Sequence, residues 1–373
     1  MAGNHGAGRL VEEAFAEADV RLDGARPWDI QVRDERFHPR VFQQLSLGLG
    51  ESYVDGWWDC ERLDLLMEHI YRRDLQSRGR RWTERLHYLR GRLLNMQRPG
   101  RAWQVAERHY DLGNDLYRAM LGPRMVYSSC HWAGAESLEQ AEEAKLDLLC
   151  RKLQLEAGMR VLDIGCGWGG FARWAVDKYD VEVVGITISR EQVALARELC
   201  GDRPIEIRLE DYRDLRGRFD RIASIGMIGH VGHRNYRKLM QVAASCLAPD
   251  GLFLINTMGA NRSTTAAEPW IDKYIFPNGM APSIAQLGAA FEHIFVMEDW
   301  QNTSTDYHRT GMAWLERFER AWPTLADRYD EPFHRMWRYY LSCFSAAFAA
   351  RTLQTWDVVL SKPGGRGRYT VSG

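Results

Sequence analysis

A glycine-rich loop is the stretch of this sequence whose residue types and spacing most clearly serve chemistry. It occurs in VLDIGCGWGG (161–170), where an apolar run carries Asp163 and is followed by four glycines that begin with Gly165 and Gly167. Glycines after a strand let a ligand approach the backbone and let the next helix begin close beneath it. The pattern predicts a ligand site at these three residues.

Two features separate the candidate ligands of this loop. A dinucleotide site also uses a GxGxxG loop, but it places an acidic residue at the end of the second strand to bind a ribose diol. Here the second strand runs into GITISREQ (185–192). The carboxylate of Asp163 favours a ligand with an ammonium group over a pyrophosphate. S-adenosylmethionine, with an amino-acid end and no phosphate, is therefore the predicted cofactor, and the alternative is a tight strand–helix turn without a ligand.

The elements that must position this loop alternate between strand and helix from about residue 145. Apolar, β-branched runs separated by helical segments predict an α/β fold with a mainly parallel, doubly wound sheet. A turn is predicted at Pro-Asp-Gly (249–251), and the last strands at HIFVMEDW and WDVVLSKP. Between those two strands, a helical insertion over about 309–352, rich in aromatic residues, is expected to roof the site.

The chain divides by composition into three parts. Residues 1–70 are predicted to form a small, mainly helical N-terminal domain, and residues 106–373 the catalytic domain. Residues 71–105 between them are rich in arginine, with apolar residues at roughly helical spacing. This segment is either a solvated linker helix or a basic amphipathic face that lies on anionic lipid headgroups.

Overall composition excludes several classes of protein. A net charge of −1 argues against a nucleic-acid-binding protein, and no run of about 20 apolar residues is present to span a membrane. The seven cysteines are scattered without a CxxC pair, which indicates reduced thiols and a cytoplasmic location. No metal-ligand spacing occurs, so no metal is expected.

Stretches along nearly the whole chain resemble the bacterial cyclopropane-fatty-acyl-phospholipid synthase family. They include SLGLGESYVDGWWDC, HYDLGNDLY, KLQLEAGMRVLDIGCGWGG, PWIDKYIFPNG, MAWLERF and MWRYYL. The resemblance implies a Rossmann-like class I methyltransferase fold, with a seven-stranded sheet and helices on both faces. It also implies an S-adenosylmethionine-dependent enzyme that acts on the C=C bond of unsaturated phospholipid chains at the inner face of the membrane, and a homodimer.

The same resemblance assigns the cofactor contacts. Carried over by motif, they fall on Tyr127, Ser128, Gly165, Thr187, Gln192, Asp211, Tyr212 and Ile225. Gln192 then stands near the ribose in place of the missing acidic residue, because an amide can both donate and accept hydrogen bonds.

The resemblance further implies that a bound bicarbonate ion removes the proton after methyl transfer. The corresponding positions here are Ser129 for a cysteine, Gly226, Gly229 for a glutamate, Asn256 for a histidine, Met258 for an isoleucine, and Tyr307. Three polar ligands have thus changed together, which argues for a dismantled or rebuilt anion pocket and makes bicarbonate a doubtful ligand. The alternative is that Ser129, Asn256 and Tyr307 still bind an anion or water in a rearranged way.

The altered positions leave several functions open. The product could be a cyclopropane, or a methyl- or methylene-branched chain if the cation ends differently. A small-molecule N- or C-methyltransferase is a second interpretation. A third is a catalytically silent paralogue that binds cofactor and partners an active synthase, because an intact cofactor loop beside a changed base site would be its signature.

Overall fold

The structure of the protein, a computed structural model, describes residues 2–73, 113–365 and 369–370. Most of the arginine-rich segment predicted over 71–105 therefore lies outside the described residues. Within the described part, no helix is long and apolar enough to cross a membrane. All seven cysteines are described, and each is buried and free of a disulfide.

A seven-stranded sheet forms the centre of the molecule, as predicted. Its strands are β3 (Arg160–Ile164), β4 (Glu182–Thr187), β5 (Ile205–Leu209), β6 (Phe219–Ile225), β7 (Leu247–Ala260), β8 (Val296–Asn302) and β9 (Leu353–Ser361). Their order is β5-β4-β3-β6-β7-β9-β8, with β9 antiparallel to both of its neighbours and the first five strands mutually parallel. The order reverses direction at β3, so the ends of β3 and β6 diverge into a crevice at a topological switch point.

Helices cover both faces of the sheet because its strands are apolar on both sides. The helices of this part of the chain are α4 (Asn114–Met120), α5 (Leu138–Lys152), α6 (Gly170–Tyr179), α7 (Arg190–Cys200), α8 (Tyr236–Cys246), α9 (Pro269–Tyr274) and α10 (Ile284–Phe291). Of these, α4 and α9 pack in a separate buried cluster beside the sheet. Helices α5 and α6 pack on the face that carries Leu254 and Val359, and α8 and α10 on the face that carries Phe253 and Val358. This alternation follows the two-residue period of a strand.

The predicted turn at Pro-Asp-Gly (249–251) is wrong as a separate element. Those residues belong to β7, where the pairing with β6 changes register: Phe219 pairs with Leu247, whereas Arg221 pairs with Leu252. The irregularity accommodates the three residues inside the strand, so α8 leads directly into β7.

The N-terminal segment packs against the helical insertion. It comprises α1 (Ala2–Glu17), β1 (Gln31–Val32), α2 (Phe37–Val54), β2 (Trp58–Asp59) and α3 (Leu63–Arg72). The insertion comprises α11 (Ser304–Leu325) and α12 (Glu331–Ala349), and one buried apolar cluster runs through both regions. Arg335 on α12 donates to the carbonyl oxygens of Tyr53 and Trp58 and pairs with Asp59. The domain boundaries given above stay predictions.

Candidate active site

One cavity opens at the ends of β3, β4 and β6, where the crevice in the sheet is expected to hold a ligand. All ten predicted cofactor-binding residues line it: Tyr127, Ser128, Asp163, Gly165, Gly167, Thr187, Gln192, Asp211, Tyr212 and Ile225. These residues come from five separate stretches of sequence, and the sheet brings them together because each stretch follows a strand or precedes α5. The loops after parallel strands thus form one wall, as in other open α/β sheets.

The glycine loop has a backbone conformation that favours glycine. Gly165 and Gly167 have φ angles of 84° and 54°, in the left-handed region that residues with a Cβ seldom adopt. The N–H groups of Gly165 and Cys166 both donate to the carbonyl oxygen of Ile186, at 2.9 and 3.0 Å, so the loop is fixed to β4. A Cβ added at Gly167 would meet no atom of the described residues within 4 Å, and the backbone there faces open space.

Asp163 supplies an unsatisfied negative group to this cavity. Its side chain is 1% exposed, and Oδ1 has no hydrogen-bond partner among the described residues. Burial raises the pKa of this carboxyl to about 7, against the opposing effect of the ammonium of Lys145. A buried carboxylate without a partner is costly, and a cationic ligand would satisfy it. The residues therefore fit the ammonium and sulfonium groups of S-adenosylmethionine.

The far side of the cavity is held by short-range hydrogen bonds. The hydroxyl of Thr187 donates to Oε1 of Gln192 at 2.7 Å, which fixes the amide that the sequence placed near the ribose. The Asp211 carboxylate accepts from the backbone N–H of Arg213 at 3.0 Å and from its guanidinium at 2.7 Å. Asp211 therefore shapes the turn that presents Tyr212, whose buried hydroxyl has no partner among the described residues.

Two buried charged residues of α5 were missed by sequence reasoning. Lys145 lines the cavity, and its Nζ donates to the Ser128 hydroxyl at 2.9 Å. One turn earlier, Glu142 accepts from the backbone N–H of Gly122 at 3.0 Å, and burial raises the pKa of Glu142 to about 7. A signal was present, because these charges lie at the helical spacing of Leu138 and Leu149 on the apolar face of α5.

The residues implied for the anion pocket are placed differently. Of the six, Gly226 lines the cavity, and the other five are not among its described lining residues. The backbone N–H of Gly226 donates to the carbonyl oxygen of Asn256 at 2.9 Å, so that donor already has a partner. The carbonyl oxygen of Gly229 accepts from the N–H of Met280 at 2.9 Å, and a Cβ at Gly229 would lie 3.5 Å from the Met280 oxygen, an ordinary contact.

Asn256 is paired with a buried carboxylate that the sequence analysis did not single out. Its Nδ2 donates to Oδ1 of Asp357 at 2.7 Å, across the β7–β9 ladder. Asp357 is 2% exposed, and burial raises its pKa. The next residue on this face of β7 is Met258, opposite Thr355. Nothing local in the sequence connects β7 to β9, so this pair could not be found by motif.

Ser129 and Tyr307 lie in apolar surroundings. The Ser129 hydroxyl donates to the carbonyl oxygen of Cys130 at 3.3 Å, and burial raises the pKa of the Cys130 thiol. The Tyr307 ring packs edge-on against Phe344, with ring centres 4.7 Å apart, and against Phe348 at 4.6 Å. This part of the site is a set of aromatic rings with few polar atoms.

An aromatic wall connects the cavity to the insertion. The Tyr127 ring lies 5.2 Å from Trp314 of α11, and its hydroxyl is 2.8 Å from that of Tyr340 on α12. Tyr340 in turn contacts Phe344 and Phe276. The insertion therefore packs behind Tyr127, and none of its residues is among the described lining of the cavity.

His230 also lines the cavity. Its ring packs edge-on against Phe276, with centres 5.3 Å apart. Removal from water lowers the pKa of His230 to about 4, so the imidazole is neutral at physiological pH.

Comparison with known proteins places this site in a family. A family model for mycolic acid cyclopropane synthetase matches residues 97–358. Cyclopropane-fatty-acyl-phospholipid synthase of Escherichia coli K12 is 49% identical over 355 residues, covering 95% of this chain and 93% of that protein. A probable fatty acid methyltransferase of Pseudomonas putida is 34% identical, covering 70% of each chain.

Solved structures agree with the sequence comparison. The cyclopropane synthase MmaA2 of Mycobacterium tuberculosis has a TM-score of 0.66 at 29% identity, covering 72% of this chain and 100% of that one. The mycolic acid cyclopropane synthase CmaA1, solved with SAH and CTAB, has a TM-score of 0.65 at 28% identity, covering 70% and 98%. This chain therefore belongs to the mycolic acid cyclopropane synthetase family and is an S-adenosylmethionine-dependent methyltransferase.

Proposed function

We propose that this protein transfers a methyl group to the C=C bond of an unsaturated acyl chain of a phospholipid. The observation that carries the proposal is the aromatic cluster of Tyr127, Trp314, Tyr340 and Phe344, which reaches the cofactor cavity at Tyr127. The E. coli relative, which matches nearly the whole chain, is named for a phospholipid substrate and supports the same assignment.

The cofactor supplies the methyl group, and this chain supplies the surface on which the alkene reacts. Attack by a C=C bond leaves a positive charge on the neighbouring carbon. Aromatic faces carry negative charge and attract a cation within about 6 Å of the ring centre. The ring of Tyr127 lines the cavity and lies 5.2 Å from the ring of Trp314 behind it, which suits both an acyl chain and a developing cation.

Removal of the proton is where this chain departs from the pattern implied by its resemblance. The side-chain amide of Asn256 donates to Asp357, and the Gly226 N–H donates to the backbone carbonyl oxygen of Asn256. Both donors therefore have protein partners. Gly229 supplies no side chain. These contacts support a site in which methyl transfer proceeds without bicarbonate as the base. Loss of one proton from the cation to water then gives a ring, a methylene-branched chain, or a methyl-branched chain that keeps an alkene.

The protein acts at the inner face of the membrane, in contact with phospholipid, and forms a homodimer. The phospholipid substrate named for the E. coli relative supports the first part of this assignment, and the seven buried free thiols suit a reducing compartment. The homodimer rests on the family resemblance alone. Flotation with vesicles of unsaturated phospholipid tests membrane contact, and light scattering of the purified chain tests the oligomeric state.

The decisive experiment is mass spectrometry of lipids after incubation of the full-length protein with unsaturated phospholipid vesicles and methyl-labelled S-adenosylmethionine. Matched reactions are run with and without added bicarbonate. Labelled chains formed equally in both support the proposal, and the presence or absence of a remaining alkene identifies the product. A ring product that forms only with bicarbonate contradicts the proposal that the reaction proceeds without bicarbonate as the base. No labelled lipid would overturn the substrate and favour a small-molecule enzyme or a silent partner.

A further inference from the structure

Lys145 is a buried cation whose only described hydrogen bond goes to a neutral group. Its side chain is 4% exposed and lines the cavity, and its Nζ donates to the Ser128 hydroxyl at 2.9 Å. Among the described residues, no carboxylate forms an ion pair with it. An ammonium has three donors, and removing a charge from water without a partner is strongly unfavourable. The buried carboxyls of Asp357, Asp163 and Glu142 attract this ammonium without forming an ion pair with it, so its remaining donors can bind an anionic ligand.

A second buried lysine on α5, Lys152, has a carboxylate partner and serves as a comparison for Lys145. Lys152, two turns further along α5, is 1% exposed and forms an ion pair and hydrogen bond with Asp299 of β8. Lys152 does not line the cavity within the described structure. The two lysines are equally buried, so burial alone does not explain why one of them lacks a carboxylate partner.

Asp163 provides the complementary observation. It lines the same cavity as Lys145, and its Oδ1 has no hydrogen-bond partner among the described residues. The two side chains carry opposite charges, yet they form no ion pair with each other. A ligand with both a carboxylate and an ammonium group would satisfy both residues at once. The amino-acid end of the cofactor has this chemistry.

We propose that Lys145 binds the carboxylate of the cofactor's amino-acid end, while Asp163 accepts from its ammonium group. The inference rests on the cofactor that the family shares and deepens the proposed function, but it does not depend on the lipid substrate. The Ser128 hydroxyl, held by Lys145, is a second donor within reach of the same carboxylate. Lys145 is thus a binding residue that distinguishes the complete cofactor from analogues without a carboxylate.

Calorimetry with two ligands tests this assignment without any turnover. The ligands are S-adenosylmethionine and its decarboxylated form, which keeps the sulfonium and the ammonium but lacks the carboxylate. The wild-type protein should bind the complete cofactor more tightly. In Lys145→Met, affinity for the complete cofactor should fall by about 10- to 100-fold, the range expected for a lost charge-assisted hydrogen bond. Affinity for the decarboxylated ligand should change by less than about threefold.

The matched control is Lys152→Met, which removes an equally buried ammonium from the same helix. It should lower stability and leave the preference between the two ligands unchanged. Equal losses for both ligands in Lys145→Met would show a structural role and overturn the proposal. So would a wild-type protein that binds both ligands with the same affinity, a result that needs no variant to fold. Failure of lipid methylation with this preference intact would reject the proposed substrate alone.

Discussion

The cofactor cavity and the positions implied for an anion adjoin each other in the fold, yet their polar groups are used in opposite ways. In the cavity, Asp163 has an unpartnered oxygen and Lys145 has no ion pair among the described residues. At the anion positions, the Asn256 side-chain amide donates to Asp357, and the Gly226 N–H donates to the backbone carbonyl oxygen of Asn256. The cofactor cavity thus presents charged groups that lack protein partners, whereas the Asn256 amide and the Gly226 N–H at the anion positions have protein partners.

The difference shows how a buried polar group can indicate a ligand. Leaving such a group unpaired costs about 1–3 kcal/mol, more if it is charged. A buried, unpaired and charged group that lines a cavity is therefore a candidate contact for a ligand. Asp163 meets this criterion, whereas the contacts of the Asn256 amide and the Gly226 N–H do not.

Restoring the side chains that the resemblance implies should have the largest effect. We expect the triple variant Ser129→Cys, Gly229→Glu, Asn256→His to gain bicarbonate-dependent ring formation of about 10²- to 10⁴-fold, the usual contribution of a positioned base. The backbone at Gly229 has room for a side chain. The measurement is the rate of ring product with and without bicarbonate, by lipid mass spectrometry.

Its control carries Gly229→Gln in place of Gly229→Glu, with the other two changes kept. The amide has nearly the same size but no charge, so the gain should be largely lost. If the triple variant responds no more to bicarbonate than the wild type, the changed side chains at the anion positions are not what determines the use of bicarbonate.

A side chain added at Gly165 in the glycine loop should weaken cofactor binding in the cavity. In Gly165→Val, a Cβ would lie 2.7 Å from the Met227 side chain, on a backbone with φ of 84°. Strain of about 1–3 kcal/mol corresponds to about a 10- to 100-fold loss of cofactor affinity, measured by calorimetry.

Gly158→Val provides the matched control for the backbone. Gly158 has a similar φ of 80°, lies outside the described lining of the cavity, and has no atom within 4 Å of an added Cβ. It should lose stability in urea unfolding and retain cofactor affinity. Equal affinity losses in both variants would mean that global destabilisation, and not the cavity, is responsible.

The pH dependence of cofactor binding should follow Asp163. Its pKa is raised to about 7 in the free protein, so the carboxylate that a cationic ligand needs becomes protonated below that pH. Affinity should fall about tenfold per pH unit as the pH drops below about 7. Titration calorimetry over a pH series gives the profile.

In Asp163→Asn the affinity should be lower at high pH, and this profile should become flat. The same raised pKa has a consequence for the free protein. Stability contributed by the protonated carboxyl is present at low pH and is lost as the pH rises from about 4 towards 7. An unchanged pH profile in the variant would assign the titration to another group.

The smallest effects on binding are expected from substitutions at two adjacent serines, Ser128 and Ser129. Ser128 lines the cavity and accepts from Lys145, whereas the Ser129 hydroxyl makes a long bond to a neighbouring carbonyl. Ser128→Ala should weaken cofactor binding by about fivefold to tenfold, because a hydrogen bond to a charged group is lost. Ser129→Ala should change binding and turnover by less than about twofold. A larger effect at Ser129 would show that the second region still contributes to the reaction.

Sequence reasoning selected residues that line one cavity because their signals are local. The glycine loop follows directly after a strand, and each contact lies in a short motif, so the predicted residues from Tyr127 to Ile225 line one cavity. Lys145 was missed because its helix carries many charges, and only their position on the apolar face marks it. Asp357 could not be found, since its partner Asn256 lies on another strand and only the sheet brings the two together.

The position of β9 has a consequence for the synthesis of the protein. This strand lies between β7 and β8, although it follows both in the chain. A polypeptide grows from its N-terminus, so β7 and β8 emerge from the ribosome before the strand that joins them. Until Leu353–Ser361 is made, the edges of β7 and β8 that pair with it lack their neighbour, and unpaired strand edges promote aggregation. Chains that end early in translation should therefore be insoluble, even though every residue of the cofactor cavity is already present in them.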